Sequence, residues 1–240
     1  MIRRFLGAVQ FLTVFPILGR TTAPGKAAVF FPLIGAILGC VAGALFLALQ
    51  RLFDSSIAGL VAVAALIGMT GALHEDGLAD CADALRAGRS REKMMAILKD
   101  SRIGTYGAVA LIVFVALRWQ AIMRLTGNVM LDLTASLALS RSAIVLMAFC
   151  TPAAGEELGA AFTSLLSRRT VAAIAAQALL FALLCGRRGA LILPASVITF
   201  VLARSYFLRR LGGVNGDCLG ATCQMVETVN LLVLAWRHSS

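Results

Sequence analysis

Apolar residues run in stretches long enough to cross a bilayer over about 27–49, 57–73, 107–125 and 129–150. Three shorter stretches, 171–185, 190–203 and 224–236, fall below the ~20 residues that a straight span needs. Together they predict an all-α, polytopic integral membrane helical bundle of about six or seven spans with amphipathic surface helices. The two stretches beside Arg187-Arg188 can alternatively form one broken hairpin. Residues 1–15 carry Arg3, Arg4, Gln10 and Thr13 among apolar positions and read as an interfacial helix or a short eighth span, with no evident signal-peptide cleavage site.

The longest polar stretch, 74–106, interrupts this pattern. It opens with His74-Glu75-Asp76-Gly77-Leu78-Ala79-Asp80-Cys81-Ala82-Asp83. In a helix, Asp76, Asp80 and Asp83 share one face, because i, i+4 and i+7 positions stack along it. Like charges at that spacing repel, so the arrangement becomes favourable when a hard cation or a group of bases compensates it. Ser90 is a plausible N-cap for a membrane-surface helix with Met94, Met95, Ile97 and Leu98 as its apolar stripe. That helix is long enough to return a fourth carboxylate, Asp100, towards the first three. Oxygen donors of this kind suit Mg²⁺, Mn²⁺ or Ca²⁺, and a divalent cation so held, Mg²⁺ above all, commonly serves phosphates.

Composition restricts the function classes. Of 240 residues, 60% are hydrophobic and 14% are charged, which excludes a soluble domain with a wet surface. A formal net charge of +10 would suggest nucleic acid in a soluble protein, but the basic residues here follow membrane topology and argue against a nucleic-acid partner. Arg3, Arg4, Arg20 and Lys26 precede the first span, and six basic residues crowd 86–102. With Arg168, Arg169, Arg204, Arg209 and Arg210 they share one side if spans alternate, and the positive-inside rule makes it cytoplasmic. Arg187 and Arg188 fall on the other side. The six cysteines lack CxxC pairing and read as reduced packing residues. No repeat or linker divides the chain, so residues 1–240 read as a single membrane domain, and a homo-oligomer is compatible with it.

Further polar groups belong to chemistry or to anchoring. Lys99 and Arg102 flank Asp100 and suit phosphate oxygens, the lysine equally suiting a lipid headgroup. Arg141 lies well inside a span and should face an anion, either a substrate phosphate or a carboxylate such as Glu227. Arg118 reads as snorkelling to a headgroup. The turn from Gly212 to Gly220 can offer backbone N–H groups of Gly216 and its neighbours to a phosphate. Asp217 is open to capping, metal ligation or substrate contact; Gln224 shares its face, and Glu227 is an acid inside an apolar span, so both are candidates for substrate binding. His74 is either a satisfied polar contact or a base placed before the helix begins.

Two segments carry a family resemblance. Gly71-Ala72-Leu73-His74-Glu75-Asp76-Gly77-Leu78-Ala79-Asp80-Cys81-Ala82-Asp83 and Lys99-Asp100-Ser101-Arg102-Ile103-Gly104-Thr105-Tyr106-Gly107 are similar to the HxDGLADxxD and KDSRIGTxG signatures of the cobalamin (5'-phosphate) synthases, also called adenosylcobinamide-GDP ribazoletransferases. Phe11-Leu12-Thr13, Phe31-Pro32-Leu33-Ile34-Gly35 and Gly216-Asp217-Cys218-Leu219-Gly220-Ala221 resemble the pattern too, while Ala72 and Ala84 stand where the family often has glycine. The resemblance covers nearly the whole chain. It implies a bacterial inner-membrane enzyme, active side cytoplasmic, that joins adenosylcobinamide-GDP to α-ribazole or its 5'-phosphate with release of GMP. It further implies Mg²⁺ on Asp76, Asp80, Asp83 and Asp100, phosphate contacts from Lys99, Arg102 and Arg141, and His74 or one aspartate as base. A CDP-alcohol phosphotransferase is the nearest rival, but Asp80 follows Ala79 where that family has arginine. A cation transporter would place its acids near the bilayer midplane, whereas these are expected at the cytoplasmic edge.

Overall fold

The apolar stretches are helices in the computed structural model, which describes residues 1–154 and 162–236. In chain order they are α1 (Ile2–Leu12), α2 (Pro24–Ala27) with a 3₁₀ turn (Ala28–Phe30), α3 (Phe31–Leu49), α4 (Ser55–Thr70), α5 (Leu73–Ala87), α6 (Arg91–Ile97), α7 (Thr105–Ile122), α8 (Val129–Cys150), α9 (Arg168–Leu184), α10 (Gly189–Leu211) and α11 (Gly216–Ala235). Among the described residues the sole β pairing is an isolated bridge between Ala153 and Val214.

Short polar side chains start these helices by accepting otherwise orphaned N–H groups. Asp54 accepts from Ser56 and Ile57 at 2.7 and 3.0 Å. Asn128, Ser167 and Asn215 do the same for α8, α9 and α11. Ser90 caps α6 as expected, its Oγ accepting from the Lys93 N–H at 3.3 Å.

Five described helices are long and apolar enough to cross a membrane: the continuous Pro24–Leu49 segment, α7, α8, α10 and α11. Helices α4 and α5 qualify only as a pair bent by 91°, which makes up to six. Helix α9 has 17 residues and falls short. Two of the spans read as short are longer in the structure. Helix α10 continues past Ala203 through Arg204, Arg209 and Arg210 to Gly212, whose left-handed φ of 72° stops it. Helix α11 begins at Gly216 instead of 224, because its polar first turns are packed against protein instead of lipid. Hydropathy stops at the first polar residue; helical hydrogen bonding does not.

Helices α3 and α8 approach most closely, through Gly35, Gly39 and Gly43 at one-turn spacing. A side chain on these glycines would strike Leu137, Leu133 and Met130 of α8, so only glycine permits this separation. One hydrophobic cluster, including Phe31, Phe46, Leu133 and Leu137, fills the space around α3, α4 and α8. A second, with Cys81, Met94, Phe207, Leu211 and Cys218, joins α5, α6, α10 and α11. Helix α1 buries Gly7, Ala8 and Leu12 and exposes its basic residues, as an interfacial helix does.

The bend between α4 and α5 positions the site. Gly71 and Ala72 both adopt left-handed φ, 62° and 58°. That reversal costs glycine little and alanine about 1–2 kcal/mol, and it turns the chain so that α5 runs back along α7. Asp83 meets Gly104 and Gly107 at the start of α7, while Glu75 meets Arg118 near its end. The acidic helix therefore descends into the bundle instead of lying on its edge.

Candidate active site

Helix α5 begins at Leu73, so His74 is within its first turn and not before it. Against α11 the fit is tight: a Cβ on Gly77 would come within 2.8 Å of the Asp217 carbonyl oxygen, and one on Gly220 within 3.4 Å of His74 Cα. Cys81 Sγ lies 3.8 Å from Cys218 Sγ in the same contact, and all six cysteines are unbridged. This packing brings Asp217 beside the acidic face, where the charges of Asp76, Asp217 and Asp83 all act on Asp80. Asn215 Nδ2 donates to Asp217 Oδ2 at 2.7 Å, while the cap of α11 is Asn215 itself.

The four acids expected to act as one set have separate surroundings. Both oxygens of Asp83 accept backbone N–H groups, Oδ2 from Gly104 at 2.7 Å and Oδ1 from Gly107 at 2.9 Å. The carboxylate thus closes the N-terminus of α7, where its charge also complements the helix dipole. Asp100 stands in the loop after α6 and receives Arg102 Nε at 3.0 Å, Nη2 at 2.6 Å and backbone N–H at 3.1 Å. These hydrogen bonds hold its carboxyl at about 2, below the ordinary carboxylate range. Arg102 is mostly in solvent.

Among the described residues no three Asp, Glu, His or Cys side chains gather closely enough to hold a metal ion. A closed protein cage is therefore not what these residues build. Mg²⁺, however, is usually held by one or two carboxylates, with water and substrate phosphate completing the shell. Asp76 and Asp80, one turn apart on α5, fit that open mode.

Below the acidic face, four charged side chains form a buried network. Arg118 donates to Glu75 Oε1 at 2.9 Å and to Glu227 Oε1 at 3.3 Å, and Arg141 pairs with the other Glu227 oxygen. All four are within a few per cent of complete burial. The reading of Arg118 as a snorkelling side chain is thereby corrected: two carboxylates draw it inward, and a paired charge in the bundle costs less than an isolated one. Arg141 takes the carboxylate alternative, so its guanidinium serves Glu227. Glu227 and Gln224, expected near substrate, sit in this interior at 0% and 1% exposure. Arg188, which topology puts on the opposite side from the other basic residues, pairs with Asp132.

Glu75 is the member that the pattern of aspartates hides, since it points away from their face. A charge count over the apolar spans could have found it. The apolar stretches hold Arg118, Arg124 and Arg141 against Asp132 and Glu227, so they are one acid short.

His74 is 2% exposed, and neither ring nitrogen has a hydrogen-bond partner among the described residues. It borders a cavity of 430 Å³ together with Asp76, Gly216 and Asp217. The remaining wall is apolar and includes Phe11, Leu73, Ile144, Phe162, Leu165 and Leu219. The mouth of the acidic group and the start of α11 thus open into one compartment. Lys99 and Arg102 lie on the connection between α6 and α7 and do not line it.

Membrane-length helices around an internal compartment with an acidic end define a multi-pass membrane protein whose polar chemistry is held inside the bundle. The chain belongs to the cobalamin-5-phosphate synthase family of enzymes, whose profile matches residues 4–235. A protein of Escherichia coli O17:K52:H18 named adenosylcobinamide-GDP ribazoletransferase is 34% identical over 98% of this chain and 100% of its own length. Its counterpart of the same name in Escherichia coli strain K12 is 33% identical over the same shares. No solved structure matches the chain.

Proposed function

We propose that this protein is an adenosylcobinamide-GDP ribazoletransferase, joining the cobinamide phosphate to α-ribazole or its 5'-phosphate and releasing GMP. The observation that carries the reading is the match to relatives of that name over 98% of this chain and 100% of their own length.

A ribose hydroxyl oxygen of the acceptor forms a bond to the cobinamide-side phosphorus. The bond from that phosphorus to the bridging oxygen breaks, and GMP leaves with that oxygen and its electron pair. His74 borders the compartment with two unpartnered nitrogens and takes the hydroxyl proton. Asp76 and Asp80 would hold Mg²⁺, or Mn²⁺ in its place, with water and substrate oxygens as its other ligands; when bound, the ion supplies positive charge against the transferring and departing phosphates. Asp83 and Asp100 act beside this group, the first by fixing the start of α7 and the second by ordering Arg102 on the loop. Lys99 and Arg102 meet phosphate oxygens of the donor from that loop. Gly216 and Asp217 border the acceptor.

The same reading places the protein in a bacterial inner membrane with the site open to the cytoplasm. Support comes from connectivity: if spans alternate, the end of α5, the starts of α7 and α9 and the last turn of α10 share one side, and they carry Arg86, Arg102, Arg168, Arg169, Arg209 and Arg210. The deciding experiment is GMP release by purified protein given adenosylcobinamide-GDP and α-ribazole, with and without Mg²⁺. Release that needs both substrates and the metal is the expected result. Metal-independent release, unchanged in Asp80→Asn, overturns the assignment of the metal.

A further inference from the structure

The compartment beside the acids has an apolar wall with a definite shape. The rings of Phe11, Phe31 and Phe162 lie nearly parallel: Phe11 and Phe31 are 5.5 Å apart at 14°, Phe11 and Phe162 6.4 Å apart at 12°, and Phe31 and Phe162 5.9 Å apart at 25°. Phe11 and Phe162 border the cavity. These rings come from three separate parts of the chain, α1, α3 and the segment before α9, and stack into one aromatic cluster, of which Phe11 and Phe162 reach the cavity wall. Leu165 and Ile144 add aliphatic wall.

Charge and size narrow the occupant. Among the described residues no Lys or Arg lines the cavity, and the two charged ones that do are the carboxylates Asp76 and Asp217. Such a lining repels phosphate unless a cation intervenes, so the pyrophosphate of the donor belongs at the acidic mouth and not inside. A volume of 430 Å³ lies near the lower end of the ~300–1,000 Å³ range that encloses small-molecule ligands. That suits a flat bicyclic base with its sugar and is too small for a corrin macrocycle. A planar aromatic group also gains from ring-to-ring contact with Phe11 and Phe162, which a lipid chain does not.

We infer that this cavity is the acceptor subsite: the aromatic base of the nucleoside lies against the Phe11–Phe162 surface, and its ribose is directed to His74, Asp76 and Asp217 at the polar end. The inference rests on the transfer reaction proposed above and assigns its two substrates to different places. The base goes inside the bundle. The corrinoid stays outside, with its pyrophosphate at the mouth.

Leu165→Trp narrows the cavity and Phe11→Ala removes part of the stacking surface; both side chains are over a third exposed, so the fold tolerates the changes. Leu202→Trp, at an exposed position of α10 outside the cavity lining, serves as control. Two readouts on the purified full chain separate the hypotheses: direct calorimetric binding of α-ribazole, and KM for each substrate in GMP release. Expected is a rise of about tenfold in both Kd and KM for α-ribazole in the two test variants, with KM for adenosylcobinamide-GDP and kcat unchanged. Unchanged α-ribazole binding, or a rise confined to the donor KM, overturns the subsite while leaving the transferase reading standing. Wild-type binding that the variants weaken, without any GMP release, keeps the subsite and overturns the transferase. Absence of both binding and release overturns both.

Discussion

Arg118 Nη2 lies 2.9 Å from Glu75 Oε1 with both side chains almost wholly buried, tying the first turn of α5 to the far half of α7. The pair anchors the acidic helix from beneath. Removing one partner strands the other charge among apolar neighbours, a change that typically costs about 3–5 kcal/mol. Arg118→Met is therefore expected to lower the unfolding midpoint in detergent sharply. Adding Glu75→Gln to it should recover part of the loss, because no bare carboxylate is then left at α5. Equal midpoints for wild type and Arg118→Met would show that the pair carries no stability.

Asp83 is expected to behave as a structural acid. Asn in its place keeps one acceptor but turns an NH₂ towards Gly104 or Gly107, which should cost about 1–3 kcal/mol. Gly107→Ala should be as damaging, since its methyl group would overlap Asp83 Oδ2. Thermal unfolding measures both. If Asp83→Asn instead leaves the midpoint unchanged while weakening Mg²⁺ activation, Asp83 belongs with the metal ligands.

Asp76→Asn and Asp80→Asn should reduce GMP release by about 100-fold or more, in line with the loss of charge directed at a phosphoryl transition state. Their unfolding midpoints should hold or rise, because each removes like-charge repulsion from one helix face. Loss of folding in both would place these acids in the scaffold.

Asp100 sets a pH expectation. Its hydrogen bonds from Arg102 depress the carboxyl to about 2, so the ionised pair is present above the ordinary carboxylate range and is lost only as pH falls through about 2. No proton leaves or joins Asp100 between about pH 5 and 8. An acid limb in the rate profile within that window should thus keep its position in Asp100→Asn, although the rate itself falls. A displaced limb would make Asp100 the titrating group.

Ala72 supplies a test of stored strain. At φ 58° its side chain adds a cost that glycine does not bear, offset in part by the greater freedom of glycine in the unfolded chain. Ala72→Gly is expected to stabilise by about 0.5–1 kcal/mol. Gly71→Ala should do the reverse, since a Cβ there meets Val14 Cγ1 at 2.7 Å. Unfolding midpoints of the two variants check the sign.

Much of the site was legible because α-helical spacing is a strong rule. The i, i+4, i+7 aspartates do occupy one helix, and Ser90 does cap α6. Arg118 was misread because hydropathy treats a span as facing lipid, while the direction of a side chain depends on which helix comes next to it. Asp83 and Asp100 looked alike in the sequence, since both are acids near a turn. One meets backbone N–H groups of a helix start and the other a guanidinium two residues away, differences that arise from contacts and not from composition.

Hydropathy and spacing on their own determine that this chain forms membrane-length helices interrupted by an acidic one, because those properties depend on residues close in sequence. Only the tertiary arrangement decides that α5 turns back at Gly71-Ala72, that Glu75 and Glu227 neutralise two arginines inside the bundle, and that an aromatic-walled cavity ends at Asp76 and Asp217. The physical reason is that buried charge and enclosed volume depend on partners brought from opposite ends of the chain, whose distances no local periodicity encodes.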